Sequence, residues 1–117
     1  MTFKKITNAF TEKKGEKLFR VISLGYGEVQ GNPHNSKSAE KVSSSKCESV
    51  PKWFSRGVES ALFAPTAMNQ QKFNFILESD GKTVSAKSGS GFYTKADLGI
   101  ARLHFEIGAG KENFNWK

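Results

Sequence analysis

PKWFSRGVESALFAPTAMNQQKFNFILES, residues 51–79, predicts a helix, a proline-containing turn and a strand in that order, and the rest of the fold is organised around these elements. The apolar residues of the helical part recur at i, i+4, i+7 and i+8 and form one stripe: Phe54, Val58, Ala61 and Leu62. Pro51 suits the first helical turn, with Ser49 as a cap, and Pro65 ends the helix. Residues 73–77 then alternate and predict a strand with one buried face.

The turn between these two elements, residues 64–71, is short and polar, and a packed element anchors each of its ends. Loops on rigid supports often carry binding chemistry. The alternative is that Thr66, Asn69 and Gln71 only satisfy backbone groups of the loop itself. Loops solve backbone problems more often than they form sites, so the residues alone favour this structural role without excluding the binding role.

The residues after the central stretch predict a hairpin. Asp80 and Gly81 are typical of a two-residue type I′ turn. This turn would place Leu77 opposite Val84 and, further along, Phe75 opposite Ala86, so that apolar side chains meet on one face. A slip of one residue would reverse every partner.

The last predicted helix covers residues 94–109 and begins with a capping-box pattern from Thr94 to Asp97. Its apolar residues form two stripes on opposite sides, the first Leu98, Ala101, Phe105 and Ala109, the second Ile100, Leu103 and Ile107. A helix that is apolar on two sides is expected to lie between layers. Gly99 and Gly108 would allow a close approach of another backbone. Residues 114–116 could add an edge strand.

Upstream of the central stretch the signals are weaker. Residues 17–24 are apolar on both faces and predict a central strand. Residues 36–49 form a serine-rich connector, in which Ser38 could cap one helical turn over residues 39–42. Residues 1–16 form a lysine-rich N-terminal segment. None of these parts is large enough to fold alone, so we expect a single domain over residues 1–117.

Composition limits the function classes. The net charge of +7 comes from scattered cations without a long basic block or an RNA-binding motif, which favours a solubilising surface over nucleic-acid binding. No apolar run is long enough to span a bilayer. The single cysteine, Cys47, permits no internal disulfide and suggests a cytoplasmic protein. The sequence contains no nucleophile–base pattern and no metal-ligand spacing, so catalysis would need an organic cofactor.

Several motifs together resemble one family. APTAMNQQ, of the form A-P-[ST]-x-x-N-x-Q, is similar to a signature of the flavin-dependent nitroreductase superfamily. Together with PKWF at 51–54, DLGIA at 97–101, HFE at 104–106 and GAG at 108–110, it resembles the second half of a nitroreductase domain built from two halves in tandem. The resemblance implies an α+β fold, half of a nitroreductase-like fold, with a small antiparallel sheet packed against two longer helices.

The resemblance also implies a function: an oxidoreductase with FMN as cofactor and NAD(P)H as co-substrate, which reduces nitroaromatics or quinones. Carried over to this sequence, the cofactor-binding residues are Pro65, Thr66, Ala67, Asn69 and Gln71. Thr66 and Asn69 would hydrogen-bond to the flavin ring, and Gln71 would brace the loop or reach the ribityl chain. No residue is assigned a catalytic role.

Two departures from the family pattern leave an alternative open. Lys72 stands where the family often has proline, and nothing in the sequence matches the family's N-terminal phosphate-binding arginines and serine. Either other cations such as Arg56, Lys72 or Arg102 hold the phosphate, or the chain has lost the flavin and serves as a non-enzymatic oligomeric binding or assembly module.

The two-sided apolar helix predicts an oligomer. The first half of the tandem domain is missing from this sequence, so a second copy would have to cover the surfaces that the half otherwise buries. We therefore expect a homo-oligomer, most simply a dimer, with residues 98–109 and 114–116 at the interface.

Overall fold

The computed structural model of the chain describes residues 11–117, which belong to two compact units, Met1–Asn32 and Pro33–Lys117. Most of the predicted lysine-rich N-terminal segment, residues 1–10, lies outside the described residues.

The described part of the first unit contains a turn. The Glu16 N–H donates to the Lys13 carbonyl at 3.0 Å, and the Glu12 carboxylate accepts the Leu18 N–H at 3.2 Å. The prediction of a strand over residues 17–24 is wrong, because these described residues form no strand and Phe19 and Ile22 are exposed. Alternation defines faces, but a strand also needs a neighbour for its backbone hydrogen bonds, which the sequence pattern does not supply.

The second unit consists of a four-stranded sheet packed against helices, an α+β fold as predicted. Its elements in chain order are α1 (Ala39–Val42), β1 (Ser43–Ser45), α2 (Lys52–Ala61), β2 (Phe73–Leu77), β3 (Thr83–Ser88), α3 (Thr94–Ala109) and β4 (Asn115–Trp116). The strand order is β1-β2-β3-β4.

The sheet is mixed, whereas the expected sheet was antiparallel. Strands β2 and β3 are antiparallel, but β1 pairs with β2 and β4 pairs with β3 in parallel. Strand β1 consists of three serines inside the predicted connector 36–49, where no alternation indicated a strand. Helix α1 lies in the same segment as predicted, although the Ser38 side chain makes no capping hydrogen bond to it. The predicted edge strand in residues 114–116 is confirmed as β4.

The hairpin register is confirmed. Phe75 pairs with Ala86 and Leu77 with Val84. The type I′ turn is wrong, because of its two central residues only Gly81 has a positive φ, 69°. The loop has four residues, 79–82, and the Asp80 carboxylate accepts the N–H of Lys82 at 3.0 Å and of Thr83 at 2.8 Å. These two hydrogen bonds stabilise the longer loop.

Helices α2 and α3 pack directly on each other and form the core with the sheet. The buried residues include Phe54, Val58 and Ala61 from α2, Phe75 from β2, and Ala101, Phe105 and Ala109 from α3. Pro51 stands at the N-cap position of α2, one residue before the helix begins. The prediction that it lies within the first helical turn is therefore wrong.

Gly108 permits the close approach of the two helices. A Cβ atom at this position would lie 2.1 Å from the Ser60 hydroxyl and 2.6 Å from the Arg56 carbonyl oxygen, both on α2. The same prediction for Gly99 is wrong, since a Cβ there would meet none of the described atoms within 4 Å.

The second apolar stripe of α3 faces solvent in the single chain. Leu103 is 57% exposed and Ile107 is 75% exposed, while Ile100 packs partly against the core. The helix is therefore covered on one side only. No helix among residues 11–117 is both long and apolar enough to cross a membrane.

Candidate functional site

The loop between α2 and β2 holds all five predicted cofactor-binding residues. Both oxygens of Thr66 accept hydrogen bonds from the loop backbone. Its carbonyl accepts the Asn69 N–H at 3.0 Å, and its hydroxyl accepts the Gln71 N–H at 3.1 Å. The Ala67 carbonyl accepts the Gln70 N–H at 3.0 Å within the same short helical turn. The loop therefore has a defined shape.

That shape requires an unusual backbone. Met68, Asn69 and Gln71 have φ values of 51°, 51° and 44°, in the left-handed region. Asparagine tolerates this region, but methionine and glutamine do so at a cost of about 1–2 kcal/mol each. Such conformations persist only where surrounding contacts impose them, and they are concentrated at functional sites.

Asp97 of α3 supplies the main contact that imposes this shape. Its carboxylate accepts the Ala67 N–H at 3.0 and 3.1 Å and the Gln70 side-chain amide at 2.6 Å. Only 2% of Asp97 is exposed, so these hydrogen bonds are shielded from water. The carboxylate thus joins the start of α3 to the middle of the loop.

This role replaces the predicted capping box, which is wrong. The N-cap residue of α3 is Tyr93, Thr94 lies inside the first turn, and the Thr94 hydroxyl donates to the Gly91 carbonyl at 3.1 Å. The sequence does contain a signal for Asp97, because it lies four residues before Ala101 on the buried stripe of the helix. A carboxylate on a buried stripe needs polar partners.

Gln71 fixes the other end of the loop. The residue is 2% exposed. Its side-chain oxygen Oε1 accepts the Lys37 backbone N–H at 2.7 Å, and its side-chain amide donates to the Leu62 carbonyl at 3.1 Å. It therefore ties the segment before α1 to the end of α2. Both polar groups of the Gln71 side chain are thus hydrogen-bonded to the backbone, and its contact with a cofactor stays a prediction.

The outer surface of the loop carries Met68 and Asn69. Met68 is fully exposed. The Asn69 amide donates to the Asn35 carbonyl at 2.6 Å, but its side-chain oxygen accepts no hydrogen bond from residues 11–117. The side-chain oxygen of Gln70 is likewise without a described donor. Of the five predicted residues, Thr66 and Gln71 thus form hydrogen bonds with backbone groups through their side chains. The Ala67 N–H donates to Asp97, and Pro65 and Asn69 are exposed.

Next to this loop lies a depression of about 290 Å³ lined by Lys37, Lys41, Lys72 and Lys87, together with Gln71 and neighbouring residues of β2 and β3. We call it the lysine concavity. No carboxylate lines it, and none of its lysines forms an ion pair with a described residue. The concavity is therefore a concentrated patch of positive charge beside the loop.

The other two cations considered for a phosphate lie elsewhere. The Arg102 guanidinium stacks on the Trp116 ring, 4.4 Å from its centroid, and Arg56 belongs to the exposed side of α2. Only Lys72 of the three lines the concavity.

The most perturbed carboxylates belong to the hairpin and not to this site. Hydrogen bonds from Lys46 and then Ser85 lower the pKa of Glu78 to about 2. Hydrogen bonds from Thr83 and Lys82 lower the pKa of Asp80 to about 2. Among the described residues, no three His, Cys, Asp or Glu side chains are placed to hold a metal ion.

Comparison with known proteins identifies a family. The model of the family described as "Putative TM nitroreductase" matches residues 1–109. No curated protein and no solved structure matches the chain.

Proposed function

The chain belongs to the nitroreductase family, and from that premise we propose that it is an FMN-dependent oxidoreductase that uses NAD(P)H to reduce nitroaromatics or quinones. The flavin would supply the redox chemistry by carrying reducing equivalents from NAD(P)H to the acceptor. The protein would supply binding, orientation and charge.

The observation that carries this proposal is the left-handed loop fixed by Asp97. A loop that served only to connect α2 to β2 would gain nothing from three non-glycine residues at positive φ. Here the strain is maintained by a buried carboxylate, and the result is that Met68 and Asn69 project outward on a rigid support. Such preorganisation is what a ligand-binding loop needs.

The polar atoms on this surface fit a flavin ring. The pyrimidine edge of isoalloxazine carries one N–H donor flanked by carbonyl acceptors. The uncommitted side-chain oxygens of Asn69 and Gln70 are acceptors for such a donor. We assign the ring contact to Asn69 first, because Gln70 already donates to both Phe92 and Asp97. Thr66 and Gln71 would act by shaping the loop.

The test is a binding titration with two variants. We expect Asn69→Ala to weaken FMN binding about tenfold or more, since it removes a hydrogen bond to the ring. Thr66→Val, which removes the hydroxyl that accepts the Gln71 N–H, should lower stability as well as affinity. If Asn69→Ala lowers stability but leaves FMN affinity unchanged, the loop has only a structural role.

Turnover provides the second readout. The protein loaded with FMN should oxidise NAD(P)H in the presence of a nitroaromatic or quinone acceptor. Protein that binds FMN but transfers no electrons would contradict the proposed reaction.

The exposed stripe of α3 favours a second candidate, a non-enzymatic oligomeric binding or assembly module that keeps the fold without the flavin. Leu103 and Ile107 expose apolar surface that a partner could bury. A colourless protein that forms a stable oligomer and shows no flavin binding would support this candidate.

In both cases we propose a homo-oligomer, most simply a dimer. Burial of an apolar side chain contributes about 1.5–3 kcal/mol, so covering Leu103 and Ile107 in two copies would stabilise the assembly by several kcal/mol. A second copy offers the same stripe and can form a symmetric contact. The cytoplasm is the compartment we propose, since a single cysteine suits a reducing environment.

A further inference from the structure

Four lysines line the lysine concavity, and no carboxylate lies among its lining residues. Two of them are fixed by backbone carbonyls: the Lys37 ammonium donates to Gln70 at 2.9 Å and Gln71 at 3.1 Å, and the Lys72 ammonium donates to Ser90 at 3.1 Å. Lys41 and Lys87 contribute side chains that make no hydrogen bond with any described residue.

The four lysines are exposed, and none of them forms an ion pair with a described residue, so the depression carries uncompensated positive charge. A bound anion would compensate that charge. The fixed ammonium groups of Lys37 and Lys72 would lose little side-chain entropy on binding it.

We infer that the lysine concavity binds the dianionic phosphate group of the cofactor. The depression of about 290 Å³ is open to solvent and far larger than the space that a single water molecule needs, so it can accommodate a phosphate group. It is continuous with the candidate loop through Gln71, which lines the concavity, and through the Gln70 and Gln71 carbonyls that hold Lys37. A phosphorylated ligand can therefore contact both.

Lysine suits this task as a point charge on a flexible stem, without the two-pronged geometry of arginine. The four lysines would take over the role of the N-terminal phosphate-binding arginines of the family pattern, which nothing in this sequence matches. The choice of FMN as the ligand rests on the proposed function, whereas the anion site rests on the geometry of the lysines alone.

The experiment compares FMN with riboflavin, which has the same ring but no phosphate. Each ligand is titrated into the full chain by fluorescence quenching, and inorganic phosphate is tested in parallel by its effect on the melting temperature. The test variant is the double substitution Lys41→Gln and Lys87→Gln. Neither side chain forms a hydrogen bond with residues 11–117, so the substitutions remove charge without removing such a contact. The control is Lys52→Gln with Lys82→Gln, two exposed lysines that do not line the concavity and give the same change in net charge.

We expect the unmodified protein to bind FMN about tenfold more tightly than riboflavin, which corresponds to about 1.4 kcal/mol, because contacts between exposed charges are individually weak. The preference should shrink in the Lys41/Lys87 variant, which keeps Lys37 and Lys72, remain unchanged in the control, and weaken with added salt. Inorganic phosphate should raise the melting temperature of the unmodified protein and of the control by similar amounts, and that of the test variant by less.

The outcomes separate this inference from the proposed function. Phosphate stabilisation that depends on Lys41 and Lys87, without binding of either flavin, supports the anion site and contradicts the flavin function. Equal affinity for FMN and riboflavin overturns the anion site and leaves the flavin function standing. A test variant that behaves like the control in both assays also overturns the anion site.

Discussion

Removing the Asp97 carboxylate should loosen the candidate loop and destabilise the protein. The carboxylate accepts hydrogen bonds from two donors, the Ala67 N–H and the Gln70 side chain, at 2.6–3.1 Å. Hydrogen bonds to a charged group contribute about 1.5–3 kcal/mol each, so their sum is about 3–6 kcal/mol. Two effects offset part of this loss in the Asp97→Ala variant. Water can hydrogen-bond to the freed groups of the half-buried loop, and the variant no longer carries the free-energy cost of burying a charge. We therefore expect Asp97→Ala to lower the free energy of unfolding by about 2–4 kcal/mol.

Asp97→Asn gives a graded comparison. It keeps one oxygen for the Ala67 N–H but turns an amide toward the Gln70 amide, so it should cost about half as much as Asp97→Ala. Urea denaturation measures the two losses, and amide hydrogen exchange over residues 66–71 shows whether the loop opens. Glu59→Ala, an exposed carboxylate on α2, serves as control and should change stability by less than about 0.5 kcal/mol. If Asp97→Ala behaves like Glu59→Ala and loop exchange is unchanged, the carboxylate does not hold the loop.

Three further predictions concern packing, pH and assembly. Gly108→Ala should destabilise the protein by about 1–3 kcal/mol because its Cβ would clash with α2, whereas Gly99→Ala, which meets open space, should stabilise it by up to about 1 kcal/mol; equal effects in thermal unfolding would contradict the helix packing. The pKa of Glu78 is lowered from 4.5 to about 2, so its contribution to stability is complete above pH 4.5 and is lost as the pH falls through about 2. Glu78→Gln should therefore make the melting temperature depend less on pH between 4.5 and about 2, and an unchanged pH dependence would refute the role of Glu78. Leu103→Glu combined with Ile107→Glu should convert the proposed dimer to a monomer in light scattering, and an unaltered mass would move the interface elsewhere.

The hairpin and the two long helices could be predicted from the sequence because their signals are local. The register of β2 and β3 follows from apolar residues two apart on each strand, because a slip of one residue would place Asn74 or Lys87 on the apolar face. The buried stripe of α2 likewise follows from helical spacing alone. The turn type was missed because the Asp80 side chain accepts backbone N–H groups, which stabilises a longer loop than the Asp-Gly pair suggests.

What could not be predicted depends on long-range partners. Strand β1 is made of serines and exists through its parallel pairing with β2. The place of Asp97 on the buried stripe of α3 indicates that its carboxylate needs polar partners, but Ala67 is 30 residues away in sequence, so the partner itself could not be predicted. The lysine concavity gathers residues from three separate segments, 37–41, 71–74 and 87–89, and in the sequence its lysines appear only as scattered charges.

The dissociation constant for FMN, measured by calorimetry on the full chain and on Asn69→Ala, decides whether the protein is a flavoprotein. We expect saturable binding of FMN with one site per chain, weakened about tenfold or more by Asn69→Ala. A folded protein that shows no heat of binding with FMN and remains colourless after incubation with the flavin would contradict the proposed function.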